Sequence, residues 1–137
     1  MNQDKPCFIL DSYALLAFLN REPGGERVQT TFSQAMASQV QVLLCLINLG
    51  EVLYIVERRH GLPTAQYILA LVESLPIHLV EASRNLVLDA AHIKAHFPIS
   101  YADAFVAALA QQEKAVILTG DPEFKAITAL CQVEWLR

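Results

Sequence analysis

Basic residues are scarce in this sequence and are outnumbered by acidic ones. Of 137 residues only 10 are Lys or Arg, against 14 Asp or Glu, which gives a formal net charge of -4. A protein that coats nucleic acid without selectivity needs a basic stripe, so the charge balance argues against this class. Charged residues make up 18% and hydrophobic residues 54% of the chain, which excludes a disordered protein and indicates a folded core.

Long apolar runs are also missing. Segment 42–56 is interrupted by Asn48 and Glu51, and no stretch approaches the roughly 18 apolar residues of a membrane span. The first apolar run, 7–10, is too short for the core of a signal peptide. Three cysteines, an odd number, lie far apart in apolar segments: Cys7, Cys45 and Cys131. Because this pattern is typical of reduced thiols, we expect a cytoplasmic protein without membrane contact.

Two common kinds of functional site are not indicated. No Gly-x-x-x-x-Gly-Lys-Ser/Thr run occurs, so the sequence lacks a nucleotide-binding P-loop. His92 and His96 are four residues apart, but no third ligand is evident and a zinc site is not expected.

Short apolar runs alternate with segments of helical periodicity along the whole chain. The runs predict strands at 7–10, 42–45, 77–80, 115–119 and 132–136. The segments between them predict helices at 12–20, 28–36, 47–59, 64–74, 83–97 and 100–112, with a further helix opened by Asp121-Pro122. No repeat, linker or change of composition divides the chain, so we expect one domain, 1–137. This order predicts a three-layer α/β/α sandwich with a mostly parallel central sheet of about five strands.

Acidic residues occupy the positions where such a sheet holds its ligands. Asp11 follows the first predicted strand and Asp121 lies two residues beyond the fourth, so both are expected at the carboxyl edge of the sheet. Asp103 lies in the first turn of the alanine-rich helix and Glu51 lies early in the third helix. Helix capping also accounts for three of them, since Asp11 and Asp121 suit N-caps and Asp103 suits a capping box with Ser100.

Glu51 has no such explanation. Its neighbours one turn away along the helix are Ile47, Asn48, Tyr54 and Ile55, and none is a cation that could pair with it. Burying an unpaired carboxylate is costly, so a bound divalent cation is an economical partner where other carboxylates lie nearby. Carboxylates without His or Cys favour Mg²⁺ or Mn²⁺, and such sites most often serve phosphate chemistry.

Four segments, in this order, resemble the motifs of PIN-domain ribonucleases, and the similarity is closest to the VapC-type toxins of bacterial toxin–antitoxin pairs. The segments are Phe8-Ile9-Leu10-Asp11-Ser12, Ile47-Asn48-Leu49-Gly50-Glu51-Val52-Leu53-Tyr54, Ile99-Ser100-Tyr101-Ala102-Asp103-Ala104-Phe105 and Leu118-Thr119-Gly120-Asp121-Pro122-Glu123-Phe124. The resemblance covers essentially the whole chain and implies a PIN-like fold. It implies a Mg²⁺- or Mn²⁺-dependent endoribonuclease that cleaves single-stranded or structured RNA and leaves a 5′-phosphate.

The resemblance also implies roles for individual residues. The metal ligands and catalytic acids would be Asp11, Glu51, Asp103 and Asp121. Small hydroxyl residues, Ser12 and Thr119, would hydrogen-bond these carboxylates or a metal-bound water. Glu123 would be a second acid of the fourth motif, or only a first-turn helix charge.

The expected partners are an RNA substrate, a cognate antitoxin and a second copy of the chain in a homodimer. Local cations must hold the RNA, and the candidates are Arg21, Arg58, Arg59, Lys94 and Lys125, although each also suits a solvated surface. A housekeeping PIN nuclease and a non-catalytic binding module remain open. A receiver-type phospho-acceptor is disfavoured, because it needs an acidic pair after the first strand, where Asp11 stands alone.

The net charge takes on a different meaning under this interpretation. Without the four proposed ligands, ten acidic residues remain and balance the ten Lys and Arg. The negative excess is therefore that of a metal site without its cations.

Overall fold

The computed structural model describes residues 5–136, so the predicted domain limits, 1 and 137, lie outside the described residues. Within that range, strands and helices alternate as the sequence predicts. The strands are β1 Cys7–Leu10, β2 Gln41–Cys45, β3 His78–Val80, β4 Val116–Thr119 and β5 Gln132–Trp135. The helices are α1 Ser12–Leu19, α2 Gly25–Met36, α3 Leu46–His60, α4 Leu62–Ser74, α5 Arg84–His96 and α6 Tyr101–Glu113, with a 3₁₀ helix at Pro122–Ile127.

The five strands form one sheet in the order β3-β2-β1-β4-β5, and every neighbouring pair is parallel. The predicted sheet is therefore confirmed, and it is wholly rather than mostly parallel. The chain moves outward from β1 to β2 and β3, then returns to the other side of β1 for β4 and β5. The direction reverses between β1 and β4, and the crevice outside their carboxyl ends is where open parallel sheets bind ligands.

Helices cover both faces of the sheet. Ile9 of β1 and Ile117 of β4 belong to the core beneath α5 and α6, whereas Leu10 and Leu118 belong to the core beneath α1 to α4. This alternation follows from the two-residue period of a strand. Helix α6 is buried continuously from Asp103 to Ala110, since its alanines allow the helix close to the sheet.

The start of α2 and the type of the last helix differ most clearly from the prediction. Helix α2 begins at Gly25, three residues earlier than its apolar stripe indicates, after Gly24 with φ 95°. The helix opened by Asp121 and Pro122 is a six-residue 3₁₀ helix. No helix within residues 5–136 is both long and apolar enough to cross a membrane.

Candidate active site

Asp11 lies at the carboxyl end of β1 and is 1% exposed. Its Oδ1 accepts a hydrogen bond of 2.8 Å from the Ala14 amide and so caps α1. Its Oδ2 accepts one of 2.5 Å from the Thr119 hydroxyl, across the gap between β1 and β4. The predicted cap is confirmed, and it leaves the second oxygen of Asp11 facing Thr119, so it does not conflict with the predicted role at the site.

Thr119 connects the two strands that border the crevice. It is fully buried at the end of β4, and its hydroxyl also accepts a 3.0 Å hydrogen bond from the Asp121 amide. Asp121 in turn caps the 3₁₀ helix, because its Oδ1 accepts from the Glu123 amide at 2.9 Å. The position of Asp121 is thus tied to that of Asp11 through a single buried side chain.

The first turn of α6 brings Asp103 to the same edge. Ser100 caps this helix, and its hydroxyl accepts from the Asp103 amide at 3.2 Å. In a complete capping box, the side chain of Asp103 would reach back to the Ser100 amide. Instead, that amide donates to Oε1 of Glu123 at 2.5 Å. Glu123 therefore performs the second half of the cap, and the Asp103 carboxyl is left to face the other acids.

Burial and neighbouring charges change the pKa of these carboxyls. Burial raises the pKa of Asp11 to about 7, against the lowering effect of its hydrogen bonds from Thr119 and Ala14, and the charge of Asp121 raises it further. Burial also raises the pKa of Asp103 to about 8, with additional increases from its hydrogen bond to Glu123 and from the charges of Asp11, Asp121 and Glu123. The Ser100 amide is the main cause that lowers the pKa of Glu123. Burial and neighbouring charges thus disfavour the ionised forms of Asp11 and Asp103.

Glu51 reaches the edge by a different route. The Ser12 hydroxyl donates to its Oε1 and lies 3.5 Å from the backbone oxygen of Asn48. Because Ser12 follows Asp11 directly, Glu51 lies next to the cluster through this hydroxyl. Across residues 5–136, no three His, Cys, Asp or Glu side chains already surround a common point in the manner of a finished metal site.

The donor chemistry nevertheless fits a hard divalent cation. The groups at this edge offer carboxylate oxygens, which Mg²⁺ and Mn²⁺ prefer. Burial and the charges of neighbouring acids raise the pKa of Asp11 and Asp103, and a cation would relieve both costs. Asp11, Asp103 and Asp121 are therefore the residues that could hold it, with Glu51 beside them.

Sequence reasoning missed two residues at this edge. Asn48 is fully buried, and its Nδ2 donates to the backbone oxygen of Ala102 at 3.2 Å. The signal was an amide on a helix of apolar residues. Tyr13 lies against Gly120 so closely that a Cβ at position 120 would overlap its ring. Gly120 could be read from the sequence, but the requirement for glycine there comes from its tertiary contact with Tyr13.

The candidate RNA contacts divide into two groups. Lys94 is close enough to help lower the pKa of Glu123, and Lys125 lies in the 3₁₀ helix that carries Glu123. Arg58 and Arg59 lie in the last turn of α3, roughly 11 Å along the axis beyond Glu51. Arg21 follows the end of α1 and is likewise separated from the acids by the length of a helix.

The chain is an α/β domain with a wholly parallel sheet, and acidic side chains lie at the carboxyl edge of that sheet where the strand order reverses. The family described as "PIN domain" matches this chain over residues 8–130, and the chain therefore belongs to the PIN-domain family. The resemblance in the four motifs is thereby confirmed at the level of the family, and the receiver interpretation is wrong.

Solved structures share this fold. VapBC2 from Rickettsia felis, bound to a promoter DNA fragment, matches with a TM-score of 0.76 and 18% identity over 96% of this chain and 99% of that chain. DNA-bound VapBC from Salmonella typhimurium matches with a TM-score of 0.74 and 17% identity over 94% and 97%. VapC20 from Mycobacterium tuberculosis, a sarcin–ricin loop cleaving toxin, matches with a TM-score of 0.66 and 20% identity over 87% and 93%. No curated protein compared with the chain matches it in sequence.

Proposed function

We propose that this protein is a Mg²⁺- or Mn²⁺-dependent endoribonuclease and the toxin of a toxin–antitoxin pair. The observation that carries the proposal is the gathering of Asp11, Asp103 and Asp121 at the switch point of the sheet, with the pKa of the first two raised. Membership of the PIN-domain family, whose proteins act as nucleases, supports the same chemistry.

The residues at this edge would have two kinds of role, to hold the cation and to orient the residues that hold it. Asp11, Asp103 and Asp121 would hold the cation, and Glu51 would complete or widen the site. A bound divalent cation would supply activation of water and neutralisation of charge at the phosphodiester. Thr119 orients Asp11, and Ser12 orients Glu51, through the hydrogen bonds described above. Attack by water on the phosphodiester would break the bond to the 3′ oxygen and leave a 5′-phosphate.

The partner is inferred from the structural relatives. Two of them are VapBC structures and one is a sarcin–ricin loop cleaving toxin, so an antitoxin is the expected protein partner of this chain. We also expect a homodimer that acts on RNA in the cytoplasm. A gene for a small DNA-binding protein immediately upstream would favour the toxin, and its absence would favour a housekeeping nuclease.

The deciding experiment incubates purified protein with total bacterial RNA and Mg²⁺ or Mn²⁺, then sequences the RNA ends. We expect new 5′-phosphate ends that disappear in excess chelator. Asp11→Asn and Asp103→Asn should each abolish them, because each removes a ligand charge while leaving the side chain's size unchanged.

Both variants should remain folded, since replacing a buried carboxyl of raised pKa by an amide removes a repulsive charge. Thermal melting with and without Mn²⁺ is the control. Added Mn²⁺ should raise the melting temperature of the wild type more than that of Asp11→Asn. Cleavage that survives in both variants, or in chelator, would refute the mechanism. A folded wild type that binds Mn²⁺ but cuts no RNA would favour a non-catalytic module.

A further inference from the structure

Asn48 is a fully buried amide on the apolar face of α3. Its Nδ2 donates to the Ala102 backbone oxygen at 3.2 Å, and its Oδ1 has no hydrogen-bond partner within residues 5–136. A buried polar atom without a partner destabilises the fold, so packing alone gives no reason for an amide here.

The contacts of Asn48 lie beside three of the proposed ligands. Ala102 immediately precedes Asp103 in the first turn of α6. On its own helix, Asn48 lies one turn before Glu51, and its backbone oxygen is 3.5 Å from the hydroxyl of Ser12. Ser12 donates to Glu51 and follows Asp11. Asn48 is thus the side chain that joins the helix carrying Glu51 to the first turn of the helix carrying Asp103.

The bond to Ala102 is dispensable for the stability of α6. The oxygen of a residue in the first turn accepts the amide four residues later, here that of Val106, as part of the helix. Without the Asn48 amide, the Ala102 oxygen would keep this helical partner and would not lack a hydrogen bond. What the amide adds is a fixed separation between α3 and the start of α6.

We propose that Asn48 is a positioning residue that sets the place of Asp103 relative to Glu51. This inference rests on the proposed function, because those two acids matter only if they share a metal site. It concerns a residue that does not itself touch the metal or the RNA.

The test compares Asn48→Leu and Asn48→Ala with the wild type. The Leu side chain has the same number of heavy atoms as that of Asn, in the same branched arrangement. Ala is smaller, so an effect shared by both variants does not come from overpacking. Four quantities are measured: Mn²⁺ affinity by titration calorimetry, kcat and KM on the RNA that the wild type cuts fastest, and the urea midpoint of unfolding in chelator.

We expect both variants to bind Mn²⁺ roughly 10- to 100-fold more weakly and to lose a similar factor in kcat, with KM little changed. The urea midpoint of Asn48→Leu should equal or exceed that of the wild type, because the substitution removes an unpartnered buried oxygen. A purely structural role would give the opposite pattern: a lower midpoint with unchanged metal affinity.

Val56→Ala is the matched control. Val56 is buried on the same helix, two turns beyond Asn48. It packs in the core on the face of the sheet opposite to α6. Its truncation should lower the urea midpoint while leaving Mn²⁺ affinity and kcat at wild-type values.

Wild-type affinity and kcat in both Asn48 variants would overturn the inference, as would failure of both variants to fold. A wild type that neither binds Mn²⁺ nor cuts RNA would overturn the proposed function as well. The two failures are therefore distinguishable.

Discussion

Asp11 uses its two carboxylate oxygens for different partners. One caps α1 and the other accepts the Thr119 hydroxyl, so the residue fixes a helix start and the width of the crevice at once. Each oxygen has a second lone pair, which leaves capacity for a cation. The capping preference that made Asp11 ambiguous in the sequence is thus part of how the site is built.

At the residue scale, the raised pKa values of Asp11 and Asp103 lead to a pH dependence of stability. In chelator, the folded protein holds protons up to about pH 7 to 8 that the unfolded chain releases near its ordinary pKa of 3.8. The free energy of unfolding should therefore fall as the pH rises through this window. Urea unfolding at pH 5 and pH 8 measures the change.

Asp103→Asn isolates the contribution of one group and should flatten this decline. Mn²⁺ should act in the opposite sense and stabilise the wild type more at pH 8 than at pH 5, because the metal competes with the protons. Equal slopes for the wild type and Asp103→Asn would contradict the assignment of the effect to the cluster.

The residues that sequence reasoning found are those whose place follows from local structure. Asp11 comes directly after β1 and Asp121 two residues after β4, and the carboxyl ends of parallel strands meet at one edge. The contacts of Asn48 and Glu123 could not be found this way. Their partners, Ala102 and Ser100, are 54 and 23 residues away, and no local pattern encodes those contacts.

At the scale of the element, α6 is anchored at both ends by different means. Its start is capped jointly by Ser100 and Glu123. Its end passes through Lys114 at φ 52°, with the Ala115 amide bonded to the Ala110 oxygen. This is a Schellman-type end, in which glycine is the favoured residue.

Lys114→Gly should therefore stabilise the protein by about 1 kcal/mol, because glycine adopts positive φ without steric cost. The side chain is exposed, so little packing is lost. The urea midpoint measures the gain. Lys114→Ala removes the same charge but keeps the Cβ, and it should bring no such gain. A midpoint for Lys114→Gly at or below that of Lys114→Ala would contradict the strain.

The helix at Pro122–Ile127 has a start that local sequence predicts and a type that it does not. An Asp N-cap followed by proline predicts a helix start, and the structure has one at Pro122. Those signals do not distinguish a 3₁₀ helix from an α-helix. Phe124 and Ile127 are fully buried three residues apart, a spacing that matches the three-residue turn. The choice is made by packing against the core.

For the whole molecule, the alternation of strands and helices predicted a layered parallel sheet but not the strand order. The reversal between β1 and β4 depends on which side of β1 the returning chain occupies. That choice places the carboxyl ends of these two strands next to one another. It therefore brings Asp11 near Asp121, although 110 positions separate them in the sequence.

The distribution of charge over the molecule gives a prediction about RNA. Lys94 and Lys125 lie near Glu123, whereas Arg58 and Arg59 lie about two turns of α3 beyond Glu51. An RNA strand whose scissile phosphate lies at the acids should therefore contact the two lysines. In an Asp11→Asn background, which binds without cutting, Lys94→Ala and Lys125→Ala should each weaken RNA binding.

Each loss should reduce the slope of log affinity against log salt by about 0.7, the value for one phosphate contact on a single strand. Fluorescence anisotropy over a series of salt concentrations measures it. Arg58→Ala and Arg59→Ala remove the same charge from the same molecule and should leave the slope unchanged. Since all four substitutions alter the net charge equally, an equal effect from all four would mean that RNA responds to total charge and not to a path beside the acids.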